Sequence, residues 1–140
     1  MELKLATLGD FNPFVQIKKE FNEDYGISEK DDDFILEEFR DYNQRGTIIL
    51  AYENSKVVGY ICGTIEEDTY EKTGHIGEVF VLKEFRGKGI STALKDEFLS
   101  FLKKKEILVC RIDVNPDNPA QESYKKWGFK IDKYRMSLKI

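Results

Sequence analysis

At 140 residues, with 41% apolar and 34% charged side chains and a net charge of −4, the chain has the bulk of one soluble domain spanning 1–140. That balance excludes a disordered or fibrous protein and disfavours a nonspecific nucleic-acid binder. No apolar run approaches the roughly 20 residues of a membrane helix, and the start, MELKLATLGDF, lacks the basic-then-apolar pattern of a secretion signal.

The two cysteines, Cys62 and Cys110, lie inside apolar runs and read as reduced, structural thiols in a cytoplasmic protein. KLATL is a short strand candidate. Asn12 and Pro13 can cap and open a helix on which Phe14, Ile17 and Phe21 recur at helical spacing. Ser28 and Asp31 resemble a capping box before a second amphipathic helix carrying Phe34, Ile35, Phe39 and Tyr42. TIILAYE (47–53), a turn at Asn54-Ser55 and KVVGYICGTI (56–65) predict a hairpin of buried strands, and HIGEVFV (75–81) a third strand beside it.

The stretch RGKGIS (86–91) follows. Beyond it, Ile90, Leu94, Phe98, Phe101 and Leu102 form the apolar stripe of a helix whose Lys95, Asp96, Glu97 and Lys103 should face solvent. EILVCRIDV (106–114) predicts a strand, Asn118-Pro119-Ala120-Gln121 the capped start of a short helix ending at Gly128, and the alternation of 129–140 a last strand. The order is that of a mixed α/β sheet covered by helices.

RGKGIS has the parts of an anion site. Gly87 and Gly89 leave backbone N–H groups unobstructed, a helix N-terminus opens near Ile90, Arg86 and Lys88 add positive charge, and Ser91 and Thr92 can donate hydrogen bonds. The triphosphate motif GxxxxGK[ST] is absent, and GKGIST fails the dinucleotide fingerprint because Thr92 stands where its last glycine belongs. A bare Gly-x-Gly also fits an ordinary strand-to-helix turn. Charge is distributed unevenly: residues 1 to 42 carry 5 cations against 12 anions, and residues 82 to 106 carry 7 against 4.

About 30 residues after the loop comes NPAQESYKKWGF. Together the two stretches resemble the GNAT superfamily of acyl-CoA-dependent N-acetyltransferases. Arg86, Gly89 and Ser91 fall on that family's pyrophosphate pattern, with Ser91 replacing its usual Gly or Ala. Asn118, Pro119, Ala120, Ser123, Tyr124, Gly128 and Phe129 fall on its later motif, with Ser123 in place of a large apolar residue. The resemblance is sharp from about 75 to 129. It implies a mostly antiparallel central sheet with one splayed parallel strand pair, flanked by helices.

Acetyl-CoA would lie in that splay, its pantetheine amides pairing with Val79, Phe80 and Val81. Its pyrophosphate would rest on Arg86, Gly87, Lys88, Gly89, Ile90 and Ser91, with Asn118 also on the cofactor side. The resemblance further implies that Tyr124 protonates the departing thiolate and that a backbone N–H near Phe80 polarises the thioester carbonyl; Glu78, on the cofactor-facing strand, is the first candidate for the base, through a water, with water relays and no dedicated base as the alternative. No metal is expected: His75 is the one histidine, and no ligand cluster is evident. The acceptor is expected to be an amine-bearing small molecule or peptide. The acidic stretches EDYGISEKDDDF (23–34) and EEDTYE (66–71) favour a cationic one, although such stretches are as often plain solvated surface. A non-catalytic acyl-CoA sensor on the same fold is the rival reading, retention of Tyr124 counts against it, and a homodimer is compatible with either.

Overall fold

The computed structural model describes residues 1–140. Its strands are β1 (Glu2–Leu5), β2 (Gly46–Glu53), β3 (Lys56–Glu67), β4 (Lys72–Val81) and β5 (Cys110–Ile112); its helices are α1 (Phe11–Asp24), α2 (Asp32–Arg45), α3 (Ile90–Lys104) and α4 (Gln121–Lys126). The strands form one sheet in the order β1-β2-β3-β4-β5. Every pair is antiparallel except β4 and β5, which run parallel. The mixed sheet and its single parallel pair are those the sequence predicts. Asn54 and Ser55 close the β2–β3 hairpin with φ of 49° and 66°, the left-handed pair that a two-residue turn of matching twist requires.

Strand alternation assigns the faces of the sheet. Gly59 and Gly63 of β3 lie under α3, where an added Cβ would stand 3.5 Å from Leu94 and 2.3 Å from Phe98; Gly74 of β4 would meet Leu102 in the same way. Side-chain-free positions thus bring α3 down onto the sheet. Tyr60 and Cys62 point to the opposite face, under α1 and α2, where Phe14 packs against Tyr60 at 5.6 Å and against Phe39 at 5.3 Å between ring centroids. Phe14, Ile17, Ile35 and Phe39 fill that layer, and Leu94, Phe98 and Leu102 fill the other.

Two irregularities place the site. A register shift between Cys62 and Gly63 sets Cys62 opposite Glu78 and Gly63 opposite Ile76, so Gly77 is an extra residue of β4, a β-bulge. The parallel ladder runs only through Gly74↔Cys110, His75↔Arg111 and Ile76↔Ile112. Pairing with β5 therefore stops where the bulge begins. From Gly77 to Val81 one edge of β4 has no strand beside it, and the two strands splay.

Several local expectations need correction. The strand predicted over 106–114 is three residues long, because β4 leaves it at the bulge. No ladder forms over 129–140, and Tyr134, Met136, Leu138 and Ile140 are exposed. Alternation specifies which side chains share a face but not which edge the strand will find, and here the last backbone bond is Phe129 N–H to Tyr124 C=O. Asp31, not Ser28, caps α2 by accepting from the Phe34 N–H at 2.8 Å. Lys95 does not face solvent: it is buried, with its ammonium 5.6 Å from the centre of the Trp127 ring.

Candidate active site

The loop after β4 is built from its backbone outward. Gly87 and Gly89 adopt φ of 77° and 80°, which side chains rarely tolerate, and a Cβ at either would meet open space. Gly89 is the left-handed N-cap of α3, and its carbonyl accepts from Ala93 N–H at 3.0 Å. The N–H groups of residues 87 to 92 donate to no backbone carbonyl. A run of free donors at a helix N-terminus, on glycines with nothing over them, is a cradle able to accept an anion. Ile90 turns its side chain into the core, so it offers this site only its N–H.

The side chains around the cradle are partly engaged. Arg86 donates from Nε to the Val81 carbonyl at 2.8 Å and from Nη2 to Asp24 Oδ2 at 2.9 Å, tying the end of α1 to the loop. Its guanidinium also lies 5.6 Å from the centre of the Phe80 ring. Lys88 is exposed and reaches back over Phe85. Thr92 Oγ1 accepts from Trp127 Nε1 at 3.2 Å, which docks α4 onto the first turn of α3. Asn118 Oδ1 accepts from Ala120 N–H at 2.9 Å, so this carboxamide braces the start of α4. Together these contacts bring the predicted cradle and the helix bearing Tyr124 to one end of the sheet.

Tyr124 is half-buried, its ring 5.6 Å from that of Trp127. Burial, helped by nearby Tyr25, pushes its phenol above the ordinary range, so the hydroxyl keeps its proton at neutral pH. Tyr25 in turn packs on Phe21 at 4.7 Å and reaches Phe80 at 6.4 Å. The aromatic wall of Phe21, Tyr25 and Phe80 thus lines the stretch of β4 whose edge is open. Burial drives the Cys110 thiol up to about 11, which leaves almost no thiolate for a nucleophilic role.

Glu78 occupies the other side of the bulge. Lys18 Nζ donates to both of its carboxylate oxygens, at 2.7 Å each, and Tyr60 Oη donates to Oε1 at 3.2 Å. Cys62 Sγ lies 3.7 Å from the same oxygen. Lys18 also stands 3.5 Å from Glu38 Oε2 of α2. Burial and the neighbouring Glu78 charge raise the Tyr60 phenol well above its usual range and do the same to the Cys62 thiol, keeping both protonated. Tyr42 enters over the bulge, where a Cβ on Gly77 would come within 2.4 Å of its hydroxyl. Gly77 therefore creates the bulge and also admits Tyr42.

The sequence singles out Glu78 as a candidate but gives no sign of the lysine that binds it. Lys18 sits one residue past Ile17 on the apolar face of α1 and is buried with it. The available signal is the spacing of Phe14, Lys18 and Phe21, which sets this one lysine of the Lys18-Lys19 pair on the apolar face. The acidic stretches are likewise less free than their composition implies. Asp24, Asp32, Glu66 and Glu71 pair with Arg86, Lys19, Arg45 and Arg111, and Asp68 is spent on its own turn. No group of three or more His, Cys, Asp or Glu side chains is arranged to hold a metal ion, and no helix is long and apolar enough to cross a membrane.

Residues 14–129 match the family model described as "Acetyltransferase (GNAT) family". The chain is 35% identical over 80 residues to an uncharacterized N-acetyltransferase of Methanocaldococcus jannaschii, an alignment covering 54% of this chain but only 35% of that protein. It is 29% identical over 130 residues to "Probable N-acetyltransferase san" of Drosophila melanogaster, covering 89% of this chain and 67% of the relative. Among solved structures, a "predicted acetyltransferase with acetyl-CoA" from Clostridium acetobutylicum superposes with a TM-score of 0.81 at 22% identity, covering 99% of this chain and 95% of that one.

Proposed function

This chain belongs to the acetyltransferase (GNAT) family, and from that premise we propose that it is an acetyl-CoA-dependent N-acetyltransferase that acetylates a primary amine on a cationic small molecule or peptide by direct attack on the thioester. The observation that carries the donor side is the run of free N–H groups from 87 to 92 over two uncovered glycines. Such a cradle takes the pyrophosphate of CoA on backbone dipoles, without needing Arg86 to leave Asp24. The open edge of β4 at Val79 and Phe80 then receives the pantetheine amides as an added strand. Val81 contributes less, since its carbonyl already holds Arg86.

In this reading the amine nitrogen attacks the carbonyl carbon, the N–C bond forms as the C–S bond breaks, and the Tyr124 hydroxyl delivers its proton to the sulfur. A backbone N–H near Phe80 stabilises the charge gathering on the carbonyl oxygen. Glu78 supplies fixed negative charge beside the acceptor, with both of its oxygens anchored by Lys18. The Drosophila and Methanocaldococcus relatives are named for N-acetyl transfer, which favours an amine over a hydroxyl acceptor.

Calorimetric titration with acetyl-CoA, followed by thiol-release assays on spermidine and on a short peptide with a free α-amino group, tests this. Saturable binding, with CoA released only when an amine is present, is the expected result. Binding without release on any amine would turn the reading toward a sensor.

A further inference from the structure

Two carboxylates face Lys18, and they are held very differently. Glu78 gives both oxygens to the Lys18 ammonium at 2.7 Å and accepts a third hydrogen bond from Tyr60. Glu38 meets the same ammonium through one oxygen only, at 3.5 Å, beyond good hydrogen-bond distance. The Lys18 side chain is 5% exposed, Glu78 18% and Glu38 28%. Moving from Lys18 toward solvent, the cluster therefore ends on a Glu38 oxygen that nothing engages.

Resting on the acetyl-transfer reading above, we propose that Glu38, not Glu78, is the carboxylate that takes the proton from the acceptor's ammonium, and that Lys18 is the positioning residue that makes this division. A carboxylate that gives both oxygens to one buried ammonium and accepts a third hydrogen bond is a weakened proton acceptor, because protonating it discards that charge pairing, whereas Glu38 accepts no hydrogen bond and loses less on protonation. Its environment also suits it to the task. Burial is the first cause that raises the Glu38 carboxyl, with the Glu78 charge adding to it and Lys18 and Lys30 opposing. Tyr42 on the same helix and Tyr60 on β3 face it too, and both stay neutral.

Protons balance in four transfers. Glu38 removes one from the incoming ammonium, through a water where the gap requires it, and the neutral amine attacks the thioester. The nitrogen sheds its second proton toward Tyr124 by way of solvent, replacing the one Tyr124 gives to the CoA sulfur. Glu38 returns its proton to bulk water, so each turnover releases amide, thiol and one net proton.

Thiol release from acetyl-CoA is followed between pH 5.5 and 9 with spermidine and with a short peptide bearing a free α-amino group, on wild type, Glu38→Gln, Glu38→Asp and Glu78→Gln. Glu38→Gln is expected to lower kcat/KM about 100-fold and flatten the acid limb of its pH profile, leaving acetyl-CoA affinity unchanged. Glu38→Asp should recover part of the rate and restore the limb, a rescue that a purely structural role would not give. Glu78→Gln should keep the limb. A Glu38→Gln enzyme with the wild-type limb, or a Glu78→Gln enzyme without one, overturns this assignment and leaves the acetyl-transfer reading standing. No transfer by the wild type to either amine overturns both. Carbon-13 labelling of glutamate carboxyls provides a second measurement that holds even if a variant folds poorly: a Glu38 resonance titrating at or below the ordinary glutamate range counts against the proposal.

Discussion

In the proposed function the glycine loop and the Lys18 cluster serve the two ends of one reaction, and they are assembled by opposite means. The loop is contiguous in sequence: Arg86 to Ser91 lie on one turn, largely exposed, and the backbone N–H groups from Gly87 onward need no partner from elsewhere in the chain. The cluster is gathered from α1, α2, β3 and β4, with 60 positions separating Lys18 from Glu78, and it runs from a buried ammonium to partly exposed carboxylates. The loop's chemistry survives changes in the rest of the fold, while the cluster's depends on the bulge at Gly77 and the packing of two helices. A donor site common to many acceptors suits local construction. An acceptor site that must discriminate suits assembly from distant elements.

Tyr124, carried between the two regions on α4, is where the largest effect is expected. Tyr124→Phe removes the proton proposed for the departing thiolate while keeping the ring that packs on Trp127. Turnover should fall roughly 100-fold or more, with acetyl-CoA affinity within a factor of about two of wild type. Stopped-flow thiol detection beside calorimetry separates the two quantities. Equal losses in both would make Tyr124 part of the cradle rather than the chemistry.

Lys18→Met tests whether the cluster is structural in a way the loop is not. It leaves Glu78 with uncompensated charge beneath α1, and breaking such a pair costs about 3 kcal/mol. Glu78 keeps some access to water, which reduces that figure toward about 2 kcal/mol. Urea denaturation should show the loss as a lower midpoint at unchanged slope. Stability equal to wild type would mean that the ion pair is solvated, and the contrast between the two regions would weaken.

This contrast also explains what the sequence disclosed. RGKGIS and NPAQESYKKWGF were legible because their chemistry is written in consecutive residues, where glycine, cap and helix start are local properties. The hairpin and the apolar faces of α1 and α3 follow from periodicity and turn residues, and the single parallel pair from the family resemblance. Lys18 was not legible as a partner of Glu78, because nothing in α1 indicates which strand will lie beneath it. The strand over 129–140 was overread for the complementary reason: its alternation is genuine, but a strand exists only where an edge accepts it, and none is engaged there. Asn118 shows a third case, in which the predicted residue stands at the predicted end of the sheet but spends its carbonyl oxygen on α4.

On the loop side, Gly89→Val places a β-branched side chain at φ 80°, a strain of about 1–3 kcal/mol. Because the loop is exposed and can relax when empty, most of the effect should appear in binding, as a loss of about 10-fold in acetyl-CoA affinity with a melting temperature lowered by only a few degrees. Unfolding comparable to that of Lys18→Met would show the loop to be as interdependent as the cluster.

The smallest effect concerns the one contact that links the loop to the acceptor-side helices. Asp24 and Arg86 are both about half exposed, so their ion pair contributes at most about 1 kcal/mol to stability. It nevertheless holds a guanidinium beside a cradle that binds anions. Asp24→Asn removes the competing carboxylate while preserving the shape of the α1 terminus, and it frees one end of Arg86 to turn toward the pyrophosphate. Acetyl-CoA affinity should rise about two- to threefold, most visibly at low ionic strength, and the gain should vanish in an Asp24→Asn/Arg86→Gln double variant. A gain that persists without Arg86 would assign the effect to the general field of the loop. A loss of affinity would mean that Asp24 orients Arg86 for the phosphate rather than withholding it, and the acidic end of α1 would then belong to the donor site as well as to the acceptor wall.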